Sequence, residues 1–450
     1  MKKTILLTLA LGLAGASTVK AANVEVFITG STAFRASCYN ACTKLFVGAN
    51  PTIYYADSAR GGANSGFSAS TASWVMTGTP IPQLSTISGN TLIVHGLFNG
   101  SIQGIKTVED STPLLWAQPH GTAGGNCDQY TTNTPTIGFS DASGTSTPFP
   151  ASGNYTEESV CVQPFVFCVT SNLLGKIGNV SLEQIAYGIP NGRVPLSAWT
   201  AKAADLSTYV YFPQRTKDSG TRRVETAVAN YAYNDAVGSY IYDATNHFWY
   251  VPTDVKAFAQ GTFPHGVVGP LGLDGVNTNW GFGYVGGGDL RGSLADSVTT
   301  NNAFGMLSIG DAQGLKLGGS NWAQVVSFNG YWPTAAGSGI RGVTAASGTN
   351  DFTPITLGYY PLWGEEVIVY AVDQSVINDS KITSFQLGTQ TSPGSFLGVF
   401  NSQTKINGGS PLVGSIELEI ELSKTNLATA IRLSDMKANR SAVGGVISPF

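Results

Sequence analysis

The 450-residue chain reads as an α/β protein. Three observations lead there. Several short β-branched or aromatic runs end in small, hydroxylated or acidic loops that feed helical patterns. Two continuous apolar runs, Val160–Val169 and Val367–Val372, have the character of strands covered on both faces. Charged residues make up only 12% of the chain against a usual ~25%, and 55 glycines accompany abundant Ser, Thr and Asn, as in a loop-rich exported protein.

The chain opens with Lys2 and Lys3, an apolar run Ile5–Leu13, and small residues up to Ala21-Ala22. This is the pattern of a secretory signal peptide over 1–22, cleaved near Ala21/Ala22. The apolar run is too short for a permanent membrane span. No cysteine precedes Cys38, which argues against a lipoprotein signal. The expected product is a soluble periplasmic chain of roughly 430 residues, enough for two or more domain-sized units. Losing Lys2, Lys3 and Lys20 leaves 21 of the 24 bases against 28 acids, so the net charge moves from −4 to −7. Such a balance excludes a general nucleic-acid or anionic-membrane binder, and any anion site has to be local.

Val24–Ile28 reads as a strand ending at Gly30-Ser31-Thr32, followed by a helical stretch through Ala36, Cys38, Ala41, Leu45 and Phe46. Thr91–Gly96 is a second strand, followed by Gly100-Ser101 and a short helix near Ile105–Glu109. Thr136–Phe139 is a third, ending at Ser140-Asp141. Ser181 caps a helix. Tyr209–Phe212 is a strand feeding Arg215. Residues 235–300 and 334–354 have weak periodicity and read as surface loops or hairpins. Gly281–Gly288 lacks the Lys-Ser or Lys-Thr of a phosphate-binding P-loop.

Five cysteines, Cys38, Cys42, Cys127, Cys161 and Cys168, leave at least one thiol unpaired in a monomer, the state expected here. Cys38 and Cys42 have helical spacing, poor for a mutual bridge; Cys127 pairing with Cys161 or Cys168 stays open. No zinc spacing occurs, and His95, His120, His247 and His265 are scattered, so neither metal nor cofactor is expected.

The most informative stretch is Arg215-Thr216-Lys217-Asp218-Ser219-Gly220-Thr221, which leads into a helical run from Arg222 to Val228. A helix N-terminus has unpaired N–H groups and a partial positive charge. Gly220 admits close approach of an oxyanion, Ser219 and Thr221 add hydroxyls, and Arg215 adds a planar fork of donors. Taken alone, this is equally an ordinary helix cap beside a solvated arginine. Four such loops each follow a strand, at Ser31-Thr32, Ser101, Ser140-Asp141 and Ser219–Thr221, and converging strand ends form one polar cleft in an open α/β sheet.

With these loops in order, the chain resembles the periplasmic phosphate-binding proteins of the phosphate ABC transporter, which are type II periplasmic binding proteins. The resemblance rests on Thr29–Phe34, Gly100-Ser101 with Gly104, Ile137–Ala142, Arg215 with Asp218–Thr221, Ala303–Ala312 and Tyr360-Pro361-Leu362. It covers nearly the whole mature chain, and the arginine to Ser-Gly-Thr spacing is its most specific element. It implies a two-lobed fold with hinge crossings and extra loop-rich insertions: lobe I from 23–165 plus 355–450, lobe II from 166–354, hinged near Phe165–Val169 and Ile355–Tyr360. It implies a ligand site of Ser31, Thr32, Phe34, Ser101, Asp141, Arg215, Ser219, Gly220 and Thr221. It also implies inorganic phosphate as ligand and a membrane permease as partner. Asp141 would accept the proton of hydrogen phosphate, which sulfate lacks near neutral pH. The chain is longer than typical members, and relatives often carry an extra Gly before the Ser-Gly-Thr trio.

No G-x-S-x-G elbow and no dense His/Asp cluster occur, so no enzyme is expected. A binder of another oxyanion, a secreted phosphatase and a cell-surface structural protein are the alternatives.

Overall fold

The structure is a computed structural model. It describes residues 23–56, 73–98, 100–149, 153–233, 235, 237–250, 267–268, 283–284, 286–296, 301–317, 323–335, 350–371, 387, 391–402, 405–406, 410–411, 415–416, 420, 430–440 and 447–449. The expected signal segment and much of 235–300 and 334–354 lie outside the described residues.

The elements that frame the site are, in chain order, β1 (Asn23–Gly30), α1 (Arg35–Thr43), β2 (Thr52–Ala56), β3 (Ser73–Gly78), β4 (Thr91–Leu97), α2 (Ser101–Glu109), β5 (Ile137–Ser140), β6 (Tyr155–Thr170) and β7 (Asn179–Val180). They continue with α3 (Leu182–Asn191), α4 (Gly220–Val228), α5 (Gly287–Ala295), β8 (Phe304–Ser308), α6 (Ile309–Leu317), β9 (Ala323–Phe328), β10 (Trp363–Ala371) and β11 (Ile431–Arg432). The eleven strands form one mixed sheet in the order β2-β3-β4-β1-β5-β10-β6-β9-β7, with β8 and β11 also paired to β6. β1 runs parallel to β4 and β5, whereas β10 is antiparallel to both β5 and β6. The chain is therefore α/β with a mixed sheet, as its strand and loop pattern requires.

Local chemistry accounts for the boundaries. Ser181 Oγ accepts the Gln184 N–H while the Gln184 side chain accepts the Ser181 N–H, a reciprocal cap on α3. The helix expected near Ile105 begins earlier, at Ser101, and Gly104 lets it settle directly on the sheet; a Cβ there would lie 2.8 Å from Gly30 Cα. Conversely, α1 ends at Thr43, short of Leu45 and Phe46. Within 235–300, the loop-and-hairpin reading holds for the hairpin Ile241–Asp243 with Phe248–Tyr250 but misses α5, whose glycine-rich start hides a helix of nine residues.

β6 is the structural spine. Its sixteen residues span roughly 50 Å at the usual strand rise and run through two apolar cores. One core gathers Val26, Ile28, Phe34, Phe139, Cys161 and Ile368. The other gathers Val162, Phe165–Val169, Val224, Phe304, Ile355, Tyr360 and Trp363. The change of core falls between Cys161 and Val162 on β6. On β10 it falls between Trp363 and Ile368, where the ladder is bulged at Glu366/Val367. The five cysteines are buried and form no disulfide: Cys38 and Cys42 Sγ lie 4.0 Å apart, and Cys127, Cys161 and Cys168 sit in three separate apolar clusters. No helix among the described residues is long and apolar enough to cross a membrane.

Candidate functional site

Four helices begin around one buried polar cluster: α1 just after Ser31–Phe34, α2 at Ser101, α4 at Gly220 and α5 at Gly287. Their N-termini bring partial positive charge to the cluster.

The loops are tied together by backbone hydrogen bonds. Ser31 N–H donates to the Phe139 carbonyl at 2.8 Å, and Gly100 N–H to the Gly30 carbonyl at 3.0 Å. Ile102 N–H, in the first turn of α2, donates to the Asp218 carbonyl at 3.0 Å, which stitches the start of α2 to the arginine loop. Arg223 Nε, on α4, donates to the Ser146 carbonyl in the segment after β5 at 2.6 Å, a second stitch.

Arg215 is the centre of the cluster and only 2% exposed. Its Nε donates to the Tyr284 carbonyl at 3.0 Å, Nη1 to Thr221 Oγ1 at 3.3 Å and Nη2 to Thr32 Oγ1 at 3.1 Å. Burial lowers its pKa, while the carboxylates of Asp311, Asp141 and Asp289 act the other way. A guanidinium held by three separate elements is fixed in orientation. Ser219 caps α4, its Oγ accepting the Arg222 N–H, so Ser219, Gly220 and Thr221 form the first turn beneath Arg215.

Asp141 follows β5 and is 1% exposed. Burial raises its pKa; a hydrogen bond from Ser101 and the charge of Arg215 pull it back down. Its Oδ1 has no hydrogen-bond partner. That oxygen rests against the backbone of Gly220, where any Cβ would overlap it; the same Cβ would lie 2.8 Å from Ser101 Oγ. Glycine is therefore required at 220 by the carboxylate packed onto it.

All nine residues singled out in the sequence fall in this cluster. Thr32, Thr221 and Arg215 are joined by hydrogen bonds, and Ser101, Asp141 and Gly220 by contact. Ser219 caps the helix below. Ser31 Oγ accepts the Phe34 N–H at 3.2 Å, and the Phe34 ring is buried against Phe139 at 5.0 Å between centroids. The Phe34 ring thus packs in the core, and its backbone shapes the loop.

Sequence reasoning missed four members. Arg35, first residue of α1, is 8% exposed, and its Nε has no hydrogen-bond partner. Asp311 Oδ2 accepts from Ser308 Oγ at 2.9 Å, and Asp289 Oδ2 accepts the Gly286 N–H at 3.1 Å. A Cβ on Gly287 would overlap Asp311 Oδ2 and lie 3.3 Å from Arg215 Nη1, which puts the start of α5 at the arginine. Glu366, at the β10 bulge, is fully buried, and neither carboxyl oxygen has a hydrogen bond of normal geometry. Burial, then the neighbouring charge of Asp141, hold its pKa well above the ordinary 4.5; only nearby Ser31 opposes them. Burial thus favours the neutral form of this carboxyl. One signal for Arg35 was legible: a cation in the first turn of a helix opposes the helix dipole.

Among the described residues, no group of three or more His, Cys, Asp or Glu side chains is arranged to hold a metal. The cluster can instead clamp a small oxyanion: hydroxyls and a guanidinium donate, helix N-termini add positive potential, and one carboxylate accepts.

No family model matches the chain, and no curated protein matches it. Solved structures similar to it include a Clostridium perfringens protein assigned as a phosphate ABC transporter substrate-binding protein, solved with bound phosphate. The two are 12% identical over 80% of this chain and 90% of that one, with a TM-score of 0.41. An ABC-type phosphate transport receptor from Vibrio cholerae is 13% identical, covering 77% and 87%, at 0.37. PstS from Borrelia burgdorferi is 13% identical, covering 78% and 89%, at 0.31.

Proposed function

We propose that this protein is an exported solute-binding protein that captures hydrogen phosphate and delivers it to a membrane permease of the ABC class. The observation that carries the reading is the pairing of opposites at one buried point. Arg215 is fixed by Thr32, Thr221 and Tyr284 as a donor, and Asp141 Oδ1 lies nearby as an unpaired acceptor. A buried acceptor without a donor is costly, on the order of 1–3 kcal/mol. A ligand that is both anionic and protonated removes that penalty, and hydrogen phosphate is such a ligand; sulfate near neutral pH is not.

Delivery requires opening. In this reading the two cores are two lobes, hinged where β6 and β10 change core near Cys161/Val162 and the Glu366 bulge, a few residues from the expected crossings at Phe165–Val169 and Ile355–Tyr360, which lie within one core. The Ile102–Asp218 and Arg223–Ser146 bonds break as the lobes part. Ligand favours the closed state because only closure brings Thr32 and Asp141 to Arg215. The protein acts as a periplasmic monomer without catalysis.

Calorimetric titration of the ligand-stripped mature protein with phosphate, then sulfate, at neutral pH tests this. Tight one-to-one phosphate binding with no sulfate heat is expected. Equal binding of sulfate removes the role of Asp141, and no heat from either anion overturns the reading.

A further inference from the structure

We propose that Arg35 is a second anion-contacting arginine, so that the site is built for doubly charged oxyanions rather than singly charged ones. The inference rests on the oxyanion-binding reading and goes beyond the nine residues that carry it.

Arg35 combines three features that each work against a structural role. Its side chain is 92% buried, since only 8% is exposed, yet its Nε has no hydrogen-bond partner. It also occupies the first turn of α1, where the helix dipole repels a cation and where no acidic residue stands to offset it. A buried guanidinium whose Nε is left unpaired is costly, and such groups are retained where something else supplies the partner.

Its place in the cluster points to that partner. Arg35 lies three residues beyond Thr32, whose Oγ1 takes Arg215 Nη2. The charge of Arg215 acts on Arg35, and the same two carboxylates, Asp311 and Asp289, act on both arginines. Burial holds the Arg35 pKa below its ordinary value. Asp311 and Asp289 act on Arg35 through their charge, yet its Nε has no hydrogen-bond partner. An oxyanion beside Arg215 would complete both forks. Two cations facing one ligand match the two charges of hydrogen phosphate, while Asp141 accepts its single proton.

The test compares wild type, Arg35→Gln and Arg35→Lys in two measurements: calorimetric titration with inorganic phosphate, and thermal unfolding without ligand. For Arg35→Gln the expected result is phosphate affinity lower by 10-fold or more, with a ligand-free melting temperature equal to or above that of wild type. Arg35→Lys should recover part of the affinity, since it restores charge without the planar fork. Phosphate affinity of Arg35→Gln within threefold of wild type overturns the proposal while leaving the phosphate reading intact. A fall in ligand-free melting temperature that accompanies the affinity loss also overturns it, because that is the signature of a structural arginine. Absence of phosphate binding by wild type overturns the underlying reading and the role of Arg35 with it.

Discussion

Arg215 and Thr32, 183 positions apart in the chain, meet through a 3.1 Å hydrogen bond from Nη2 to Oγ1. The bond joins the loop after β1 to the loop before α4, and it fixes the plane of the guanidinium. Lysine keeps the charge but cannot reach Thr32, Thr221 and the Tyr284 carbonyl together. Arg215→Lys should weaken phosphate binding by about 10- to 100-fold, the scale of a lost charged hydrogen bond. Arg215→Ala should weaken it further. Titration calorimetry reads both, and unchanged affinity in Arg215→Ala would falsify the site.

Asp141→Asn exchanges an acceptor for a group that can also donate, at the same size. Phosphate should bind more weakly, and sulfate should gain affinity because the repulsion is gone and an amide N–H faces it. A shift in the phosphate-to-sulfate ratio of at least about tenfold is expected, corresponding to about 1.4 kcal/mol. A ratio that does not move would mean Asp141 faces something other than the ligand.

Gly220→Ala places a methyl group where Asp141 Oδ1 sits. Either α4 or the carboxylate has to move, and overpacking of this kind costs about 1–3 kcal/mol. Thermal unfolding should show a lower melting temperature, and phosphate affinity should fall with it. Wild-type behaviour in both would contradict the contact between Asp141 and α4.

Glu366 gives a pH dependence with a definite sign. Its folded pKa is raised above the ordinary 4.5, so the folded protein keeps a proton that the unfolded chain releases. This contribution to stability is fully present below pH 4.5 and declines as pH rises towards the folded pKa, by at most about 1.4 kcal/mol per pH unit. Glu366→Gln mimics the neutral carboxyl at all pH values. It should therefore flatten the loss of stability between acidic and neutral pH. Denaturant titrations of both proteins at several pH values decide it; parallel curves would show that Glu366 is ionised in the fold.

What could be read without the fold was everything encoded within about ten consecutive residues. The strand at Val24–Ile28, the apolar run through Val160–Val169, the Ser181 cap and the turn at Ser219-Gly220-Thr221 are local patterns of period, capping and backbone freedom. Those patterns were enough to place the α/β class and to single out the hydroxylated and acidic strand-end loops with Arg215 and Gly220; Phe34 and the full set of nine came with the family resemblance. The helix at Gly287–Ala295 escaped because a glycine-rich start carries little helix propensity, and its stability comes from Leu290 and Leu294 packing in the core. Arg35, Asp311 and Glu366 escaped for a different reason. Asp311 and Glu366 sit in unremarkable local sequence, and Arg35 carries only the signal of a cation in the first turn of a helix; each acquires its character from neighbours far along the chain: Asp311 and Asp289 for Arg35, the start of α5 for Asp311, Asp141 and Ser31 for Glu366. Burial and the charges that surround a group are set by which segments the sheet brings together. Tertiary structure alone decided that one buried arginine is held by three elements while another, beside it, has its Nε unpaired.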